Sequence, residues 1–410
     1  MKYFKWIVGI ACILGSSLMY KLLFTEITVI EGIRYKISVN GSSANAFPTN
    51  DTTHAYTVSV SCDNSQAIWD YANWKLKIKN TSAGTDKCSI AFNDVTSNDY
   101  INNYLNTNKG TTQGTTSAKG KLVNEKGVRY EGTDPYNYVS FNGELWRIIG
   151  MFAFNKSTNV EVNGGSTDCT TYNCYTKIIR NDSIGSYAFS ALGTSQSTVY
   201  NYWEKIDGTK ATLNTLLNTY YYNHTDGTSN SVCRFYGNTV TANCDFTKRG
   251  IQESYKPMVQ QVVWNLGGYS SATNTQAMYG YERGSTRPSN NINALTASGY
   301  IGLMYPSDYG YSVQSSNCSR TRVNLSSYNT AACGGKAWLL KNGAEWTITP
   351  YSSNAYGVFL LSNGGGYVNV NDAYNGYAVR PVLYLTSKTY IVSGSGKIDD
   401  PYVLGLDTRS

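Results

Sequence analysis

Cysteine spacing is the feature that most limits how this chain can fold. Of nine cysteines in 410 residues, eight follow Cys12 and fall into four couples that are close in sequence. The couples are Cys62 with Cys88, Cys169 with Cys174, Cys233 with Cys244, and Cys318 with Cys333. Eight cysteines allow about a hundred connectivities, so this pairing rests on sequence proximity alone. An even number in this arrangement predicts four local disulfides and an oxidising, extracytoplasmic environment.

The competing interpretation of these cysteines is a set of thiolate metal sites. Such sites favour CxxC-like spacings with histidine support. The couples lack that spacing, and the two histidines, His54 and His224, fall in different predicted domains. The sequence therefore favours disulfides over metal sites, and it indicates no cofactor.

The first 25 residues indicate a membrane anchor or a signal peptide. Residues 6–20 carry no charge, Lys21 follows, and residues 22–24 are apolar again. Crossing a bilayer takes about 20 apolar residues, so this segment spans only if Lys21 reaches back to the interface. Lys2 and Lys5 precede the apolar run and favour a cytoplasmic N-terminus with the chain exported behind it. Since a suitably placed small-x-small cleavage site is missing, we expect a single-pass anchor in the cell membrane, with a removed signal peptide as the alternative.

The composition also suits an exported protein. The chain has 36 tyrosines and 38 glycines, and charged residues make up 15% of it. Amides and hydroxyls must then supply much of the surface polarity, unlike the Glu- and Lys-rich surface of a typical cytosolic enzyme. The net charge of +7 is scattered along the sequence rather than clustered. Nucleic acid is therefore excluded as an expected partner.

A small β-sandwich domain is predicted over residues 26–96. Its apolar residues alternate with polar ones in three segments, and such alternation is typical of strands. These segments are 34–39, 55–62 and 74–79. Trp69 and Trp74 are expected to fill the core between two sheets. Residues 97–122 contain few apolar side chains after Leu105, so we expect a flexible linker there.

A larger α+β domain is predicted over residues 123–405. Residues 138–152 are typical of a hairpin because Asn142-Gly143 is a strong signal for a tight turn. Apolar spacing of three to four predicts two helices. These helices are expected at 211–222 and 253–264. Short strands separated by Gly- and Asn-rich loops complete the domain.

Several segments of this domain resemble an uncharacterised family of surface domains in Gram-positive gut bacteria. The segments are Asn142–Ile149, Leu213–Tyr220, Leu303–Tyr311, Trp346–Pro350, Val379–Leu385 and Gly394–Tyr402. That family is distantly similar to the C-type-lectin-like fold shared with formylglycine-generating enzymes, and the likeness covers about residues 123–404. It implies a lectin-like recognition domain following the membrane helix and the β-sandwich.

The resemblance carries over no catalytic or metal-binding residue. The calcium-ligating Glu-Pro-Asn and Trp-Asn-Asp motifs of sugar-binding lectins are missing, and Arg287–Asn290 is a poor substitute. The catalytic cysteine pair of the formylglycine-generating relatives lies late in the domain. Cys169 and Cys174 lie early in it, so a structural disulfide is the better interpretation.

Tyrosine-rich loops near the C-terminus are the predicted recognition surface. Loops rich in Tyr, Asn, Ser and Gly suit recognition because Tyr offers a large contact area at low entropic cost. The candidate ligand-binding residues are Tyr351, Asn354, Tyr356, Asn371, Asp372, Tyr374, Asn375 and Tyr377. We expect a non-catalytic, membrane-anchored binding or adhesion protein whose ligand is a glycan or a surface protein.

Two other functions stay open at this point. One is a structural or assembly subunit of a surface appendage or secretion apparatus. The other is a glycan hydrolase, which needs two carboxyl groups about 5–10 Å apart. Candidate carboxylates are Glu144, Glu253, Glu282, Asp308 and Glu345, and their spacing selects no pair among them.

Overall fold

The computed structural model describes residues 33–49, 54–71, 73–79, 86–197, 200–288, 291–331, 333–341, 343–362 and 365–409. The anchor predicted for residues 1–25 lies outside these ranges. Within them, no helix is long and apolar enough to cross a bilayer, and the fold is mostly β, with 38% strand and 12% helix. Two predictions are therefore corrected. The fold class, a transmembrane helix with a β-sandwich and an α+β domain, is wrong because the described chain is mostly β. The single-pass membrane location is contradicted by the lack of a membrane-spanning helix among the described residues.

The N-terminal part is a four-stranded sheet packed against a hairpin. Its strands are β1 Ile33–Val39, β2 Ser42–Ala44, β3 Tyr56–Cys62, β4 Gln66–Asp70, β5 Lys75–Lys79 and β6 Asp86–Asp94. The sheet order is β2-β1-β6-β3, with β1 and β6 parallel, and β4 pairs with β5. The Trp69 ring packs edge to face on Phe92, with ring centroids 5.0 Å apart, and on Trp74, with centroids 5.3 Å apart. Aromatic rings therefore fill the space between the sheet and the hairpin.

The remaining strands build the larger part of the molecule. They are β7 Lys121–Asn124, β8 Val128–Glu131, β9 Tyr138–Phe141, β10 Glu144–Phe154, β11 Asn173–Arg180, β12 Ser186–Ala188, β13 Arg234–Tyr236, β14 Val240–Thr241, β15 Val259–Gln260, β16 Val262–Asn265, β17 Thr296–Gly299, β18 Ile301–Gly302, β19 Glu345–Pro350, β20 Gly357–Ser362, β21 Tyr367–Asp372, β22 Gly376–Ala378, β23 Val382–Leu385, β24 Thr389–Ser393 and β25 Tyr402–Leu406. A ten-stranded sheet follows the order β15-β23-β11-β10-β9-β25-β24, with β18, β7 and β8 beside it. A five-stranded sheet follows β12-β22-β19-β20-β21.

Helices are few and short. They are α1 Ile101–Asn108, α2 Thr212–Thr215, which continues as a π-helix over Leu216–Tyr221, α3 Thr275–Glu282 and α4 Pro306–Tyr311. Single 3-10 turns lie at Ser97–Asp99, Lys256–Met258, Leu325–Ser327 and Gly334–Lys336. The helix expected at 211–222 is thus present, in α and π form. The helix expected at 253–264 is wrong, because Val259 pairs with Leu385 of β23 and Val262 pairs with Gly299 of β17.

Strands β9 and β10 form the hairpin that Asn142-Gly143 predicts. Asn142 has φ 60° and Gly143 has φ 72°, as a tight turn with positive φ at both central positions requires. β10 is buried along most of its length and pairs with β11. Their register shifts between Ile148 and Gly150, and a Cβ at Gly150 would lie 2.2 Å from the Val128 carbonyl oxygen. This close approach explains the glycine.

Residues 97–122 differ from the flexible linker that their composition predicts. α1 lies within them, and Ile101, Leu105 and Leu122 are fully buried in the main core. Asn102 anchors the helix by donating to the carbonyl oxygen of Cys174 at 2.7 Å. Nearby, Tyr390 of β24 donates to the carbonyl oxygen of Tyr56 at 3.0 Å and packs with residues of the N-terminal part. These few apolar side chains are enough to order the segment because Ile101, Leu105 and Leu122 all pack into the core.

All four predicted disulfides are confirmed. Cys62 and Cys88 are register partners on β3 and β6, with Cα atoms 4.0 Å apart. The other couples join residues 5, 11 and 15 apart in the sequence. Each bridge therefore closes a local loop, as the clustering of the cysteines predicts.

Candidate functional site

The two predicted recognition loops lie side by side at one end of the five-stranded sheet. Loop 351–356 leads into β20, and loop 371–377 leaves β21. Gly357 pairs with Asp372, and the Ala373 amide donates to the Tyr356 carbonyl oxygen at 2.8 Å. The antiparallel pairing of β20 and β21 thus brings together candidate residues about twenty positions apart.

Asn371 is the centre of a polar network in the second loop. Its amide nitrogen donates to the Tyr377 hydroxyl, and its Oδ1 accepts from Asn375 Nδ2 at 2.8 Å. Asp372 accepts from Gln196 Nε2 at 3.1 Å and from the Tyr374 hydroxyl, and this hydrogen bond raises the pKa of Tyr374. The side chains of the loop are therefore held in place before any ligand arrives.

The first loop is shaped mainly by its own backbone contacts. Asn354 Oδ1 accepts from the amides of Tyr356 at 3.1 Å and Gly357 at 2.6 Å, so this side chain stabilises the turn. Buried Asn201 donates to the Tyr351 carbonyl oxygen at 2.8 Å, and the Tyr351 ring packs edge to face on Phe359. Asn354 and Tyr351 thus support the loop, whereas half-buried Tyr356 borders it.

A hairpin that the sequence did not single out completes the surface. The Gly237 amide donates to the Tyr374 carbonyl oxygen at 2.8 Å, and the rings of Tyr236 and Tyr374 meet at 5.5 Å with planes at 90°. Gly376 lies against Phe235, where a Cβ would come within 2.6 Å of the ring. The bridge between Cys233 and Cys244 closes the base of this hairpin. A cysteine couple bracketing a short strand pair was the signal that could have found it.

Exposed apolar side chains mark the same surface. Phe235 is 42% exposed and Val240 44% exposed on the hairpin. Leu192 is 50% exposed, in a segment whose next residues contact Gly237. We call the surface formed by residues 192–197, 233–244, 351–356 and 371–377 the tyrosine face. It combines exposed apolar groups, fixed tyrosine rings and one carboxylate.

The five candidate carboxylates for hydrolysis are all engaged by cations. Their ion pairs are Glu144 with Arg180, Glu253 with Lys256, Glu282 with Arg283, Asp308 with Arg129 and Lys177, and Glu345 with Arg380. Glu282, Asp308 and Glu345 are also buried. A carboxylate enclosed in the core does not reach a polysaccharide, so these three lack the access that hydrolysis requires.

The buried charges form a network that includes Lys177 of β11. Asp308, at the start of α4, lies 2.6 Å from Lys177 Nζ and 2.8 Å from Arg129, and these cations hold its pKa well below the usual range. Burial raises the pKa of Glu282 to about 7, although Arg283 lies 3.0 Å away. Charges this deep need partners to be tolerated. We assign this network to stability rather than to ligand binding.

A separate cleft of about 340 Å³ lies where hairpin β4-β5 meets the larger part. Trp69, Tyr71 and Tyr255 line it. The Asp70 carboxylate in its wall already accepts from Lys77 at 2.8 Å and from Asn73. The tyrosine face is the stronger candidate for ligand binding because three exposed large apolar side chains, Leu192, Phe235 and Val240, lie on it.

Comparison with protein-family models, curated proteins and solved structures finds no match to this chain. The resemblance to a lectin-like surface family therefore stays a prediction. The chemistry of the tyrosine face is inferred from its own residues.

Proposed function

We propose that this protein is an extracellular binding or adhesion protein that contacts another protein through its tyrosine face. The observation that carries the proposal is the convergence of two tyrosine-rich loops with exposed Leu192, Phe235 and Val240. Exposed apolar patches rimmed by polar groups are typical of protein-binding surfaces.

The four disulfides support the extracellular part of the proposal. Disulfides persist in oxidising compartments and are rare in the reducing cytosol. Here they bridge local loops in both parts of the chain, and one of them, Cys233 to Cys244, closes the hairpin of the tyrosine face. An oxidising environment would therefore preserve the surface as well as the fold.

The rings of the tyrosine face support recognition at low entropic cost. Tyr377 packs edge to face on Trp346 at 4.9 Å, and Tyr374 packs on Tyr236 at 5.5 Å. Side chains already held in one orientation lose little freedom when a partner docks. Tyr and Phe are also among the residues enriched in the central contacts of protein interfaces. A protein partner therefore suits this surface better than a ligand that would contact the polar groups alone.

The test compares two exposed-residue variants on protein and glycan arrays under oxidising conditions. Replacing Phe235 and Val240 with serine should weaken binding to a captured protein by at least about tenfold. Ile398→Ser is the matched control, because Ile398 is 62% exposed and lies outside the tyrosine face. The Ile398→Ser variant should bind the same protein as tightly as the unmodified chain.

Three other outcomes would contradict the proposal. Binding restricted to glycans would make the protein a lectin. Self-association that the double variant abolishes would favour the assembly subunit. Equal loss in the double variant and in Ile398→Ser would remove the tyrosine face from any role.

A further inference from the structure

Lys341 and Asn181 place an amine against a side-chain amide where two distant segments meet. Asn181 directly follows β11, and Lys341 lies in the segment before β19. Lys341 Nζ donates to Asn181 Oδ1 at 2.9 Å, and Asn181 is buried. The amine nitrogen is thus next to the amide group whose carbon, Cγ, is an electrophile.

A carboxylate lies on the other side of the same amide. Asn181 Nδ2 donates to Asp182 Oδ1 at 3.1 Å. The amide oxygen therefore faces the amine, and the amide nitrogen faces a proton acceptor. The same carboxylate is near enough to the Lys341 amine to raise its pKa, so Asp182 can carry a proton from the nucleophile to the leaving nitrogen.

The surroundings also favour the reactive form of the amine. Burial, together with the neighbouring cations Arg380 and Arg147, lowers the pKa of Lys341. A lysine in such a position holds a larger fraction of neutral amine, which is the nucleophile. Arg380 is fixed by its ion pair with Glu345 at 2.5 Å. Asp182 and Glu345 act in the opposite direction on the pKa of Lys341, but more weakly than burial and the two cations.

We propose that Lys341 and Asn181 join spontaneously in an isopeptide bond. The Nζ lone pair attacks Cγ, a new C–N bond forms, and Asp182 passes the released proton to Nδ2. The bond from Cγ to Nδ2 then breaks and ammonia leaves, so the chain becomes about 17 Da lighter. The reaction needs no oxidant, metal or other reactant. The bond would join residues 160 apart and restrict the unfolded chain in the way a disulfide does.

A fully buried lysine next to a carboxyl carbon, Lys177, serves as an internal comparison. Lys177 Nζ lies 2.6 Å from Asp308 Oδ2, which is closer than Lys341 to Asn181. Arg129 and Lys177 keep Asp308 ionised, and a carboxylate anion is a poor electrophile. We therefore expect Lys177 and Asp308 to stay unlinked, with no loss of water from this pair.

Mass spectrometry of the full chain tests the proposal. After reduction, alkylation and trypsin digestion, we expect a peptide in which Lys341 is uncleaved and joined to the Asn181 peptide, about 17 Da below the sum of the two. Recovery of the two peptides with unmodified Lys341 and Asn181 would overturn the proposal. This measurement needs only the unmodified protein.

Two variants separate the bond from other losses of ammonia. Lys341→Arg keeps the positive charge but should restore the full mass of the Asn181 peptide. If the deficit persists in Lys341→Arg, it arises from cyclisation of Asn181 with its own backbone, and the proposal fails. Asp182→Asn should lower the linked fraction in freshly made protein at least about tenfold, as expected on removing a general base, and an unchanged fraction would contradict the proton transfer proposed for Asp182.

Discussion

Replacing Asp308 with asparagine tests how far the buried charges stabilise the fold. Asp308 Oδ1 accepts from Arg129 at 2.8 Å, and Oδ2 accepts from Lys177 at 2.6 Å and from the Tyr305 amide at 3.0 Å. Asparagine keeps the size of the side chain but removes its charge. Two buried cations then lose the anion that they share.

The expected cost follows from the burial of all three groups. Their side chains are at most 1% exposed, so solvent does not compensate the lost charge. Removing one partner of a buried ion pair typically costs about 3–5 kcal/mol. Because two cations are affected, we expect Asp308→Asn to lower the free energy of unfolding by about 5 kcal/mol. That is a large part of the roughly 5–15 kcal/mol by which folded domains are stable.

Urea unfolding followed by tryptophan fluorescence measures this change. Trp264 is a suitable reporter because it is buried and lies 5.7 Å from Lys177 Nζ. Glu253→Gln is the matched control, since Glu253 is 80% exposed and pairs with Lys256 on the surface. Its loss should stay below about 0.5 kcal/mol. If Asp308→Asn shifts the unfolding midpoint no more than Glu253→Gln does, the stabilising role of the network is refuted.

Three further predictions concern pH, a disulfide and two glycines. The pKa of Glu282 is about 7 in the folded chain and about 4.3 in the unfolded chain. The contribution of Glu282 to stability is therefore complete below about pH 4.3 and is lost as the pH rises toward 7. In urea unfolding at several pH values, the free energy of unfolding of the unmodified protein should fall in this window by up to about 1.4 kcal/mol per pH unit more than that of Glu282→Gln. Parallel pH profiles of the two proteins would contradict the assignment. Replacing Cys318 and Cys333 with serine opens a loop with a sequence separation of 15 and should cost about 3 kcal/mol in the same assay; an unchanged midpoint would refute this. In thermal unfolding, Gly150→Ala should destabilise the protein by at least about 1 kcal/mol, because the added Cβ meets a carbonyl oxygen. Gly280→Ala should stabilise it by about 0.5–1 kcal/mol, because Gly280 lies on α3 with open space around it. The reverse order of stabilities would contradict both expectations.

Short-range features were predictable from the sequence. The cysteine couples formed the expected bridges because their partners are near in the chain. The turn at Asn142-Gly143 depends on the left-handed conformation that these two residue types accept. In both cases the deciding interactions lie within a short stretch of chain.

Long-range features were not predictable in the same way. The apolar residues of 253–264 have helical spacing, yet Val259 and Val262 pair with strands that are distant in sequence. Sheet pairing can override a local pattern because its hydrogen bonds come from elsewhere in the chain. The pairing of Asp308 with Lys177 and Arg129 joins residues 131 and 179 positions apart, which no local motif reveals.

The candidate site also has a part that the sequence predicts and a part that depends on long-range contacts. The sequence predicted the tyrosine-rich loops as candidates, because residue composition alone shows which loops are rich in Tyr, Asn and Ser. Their meeting at one end of a sheet, beside Phe235 and Val240, was decided by tertiary structure. The sequence by itself therefore determined the disulfides, the tight turn and the candidate loops, whose chemistry is local. Only the folded chain decided which groups are buried, paired or exposed, because each depends on partners that folding brings near.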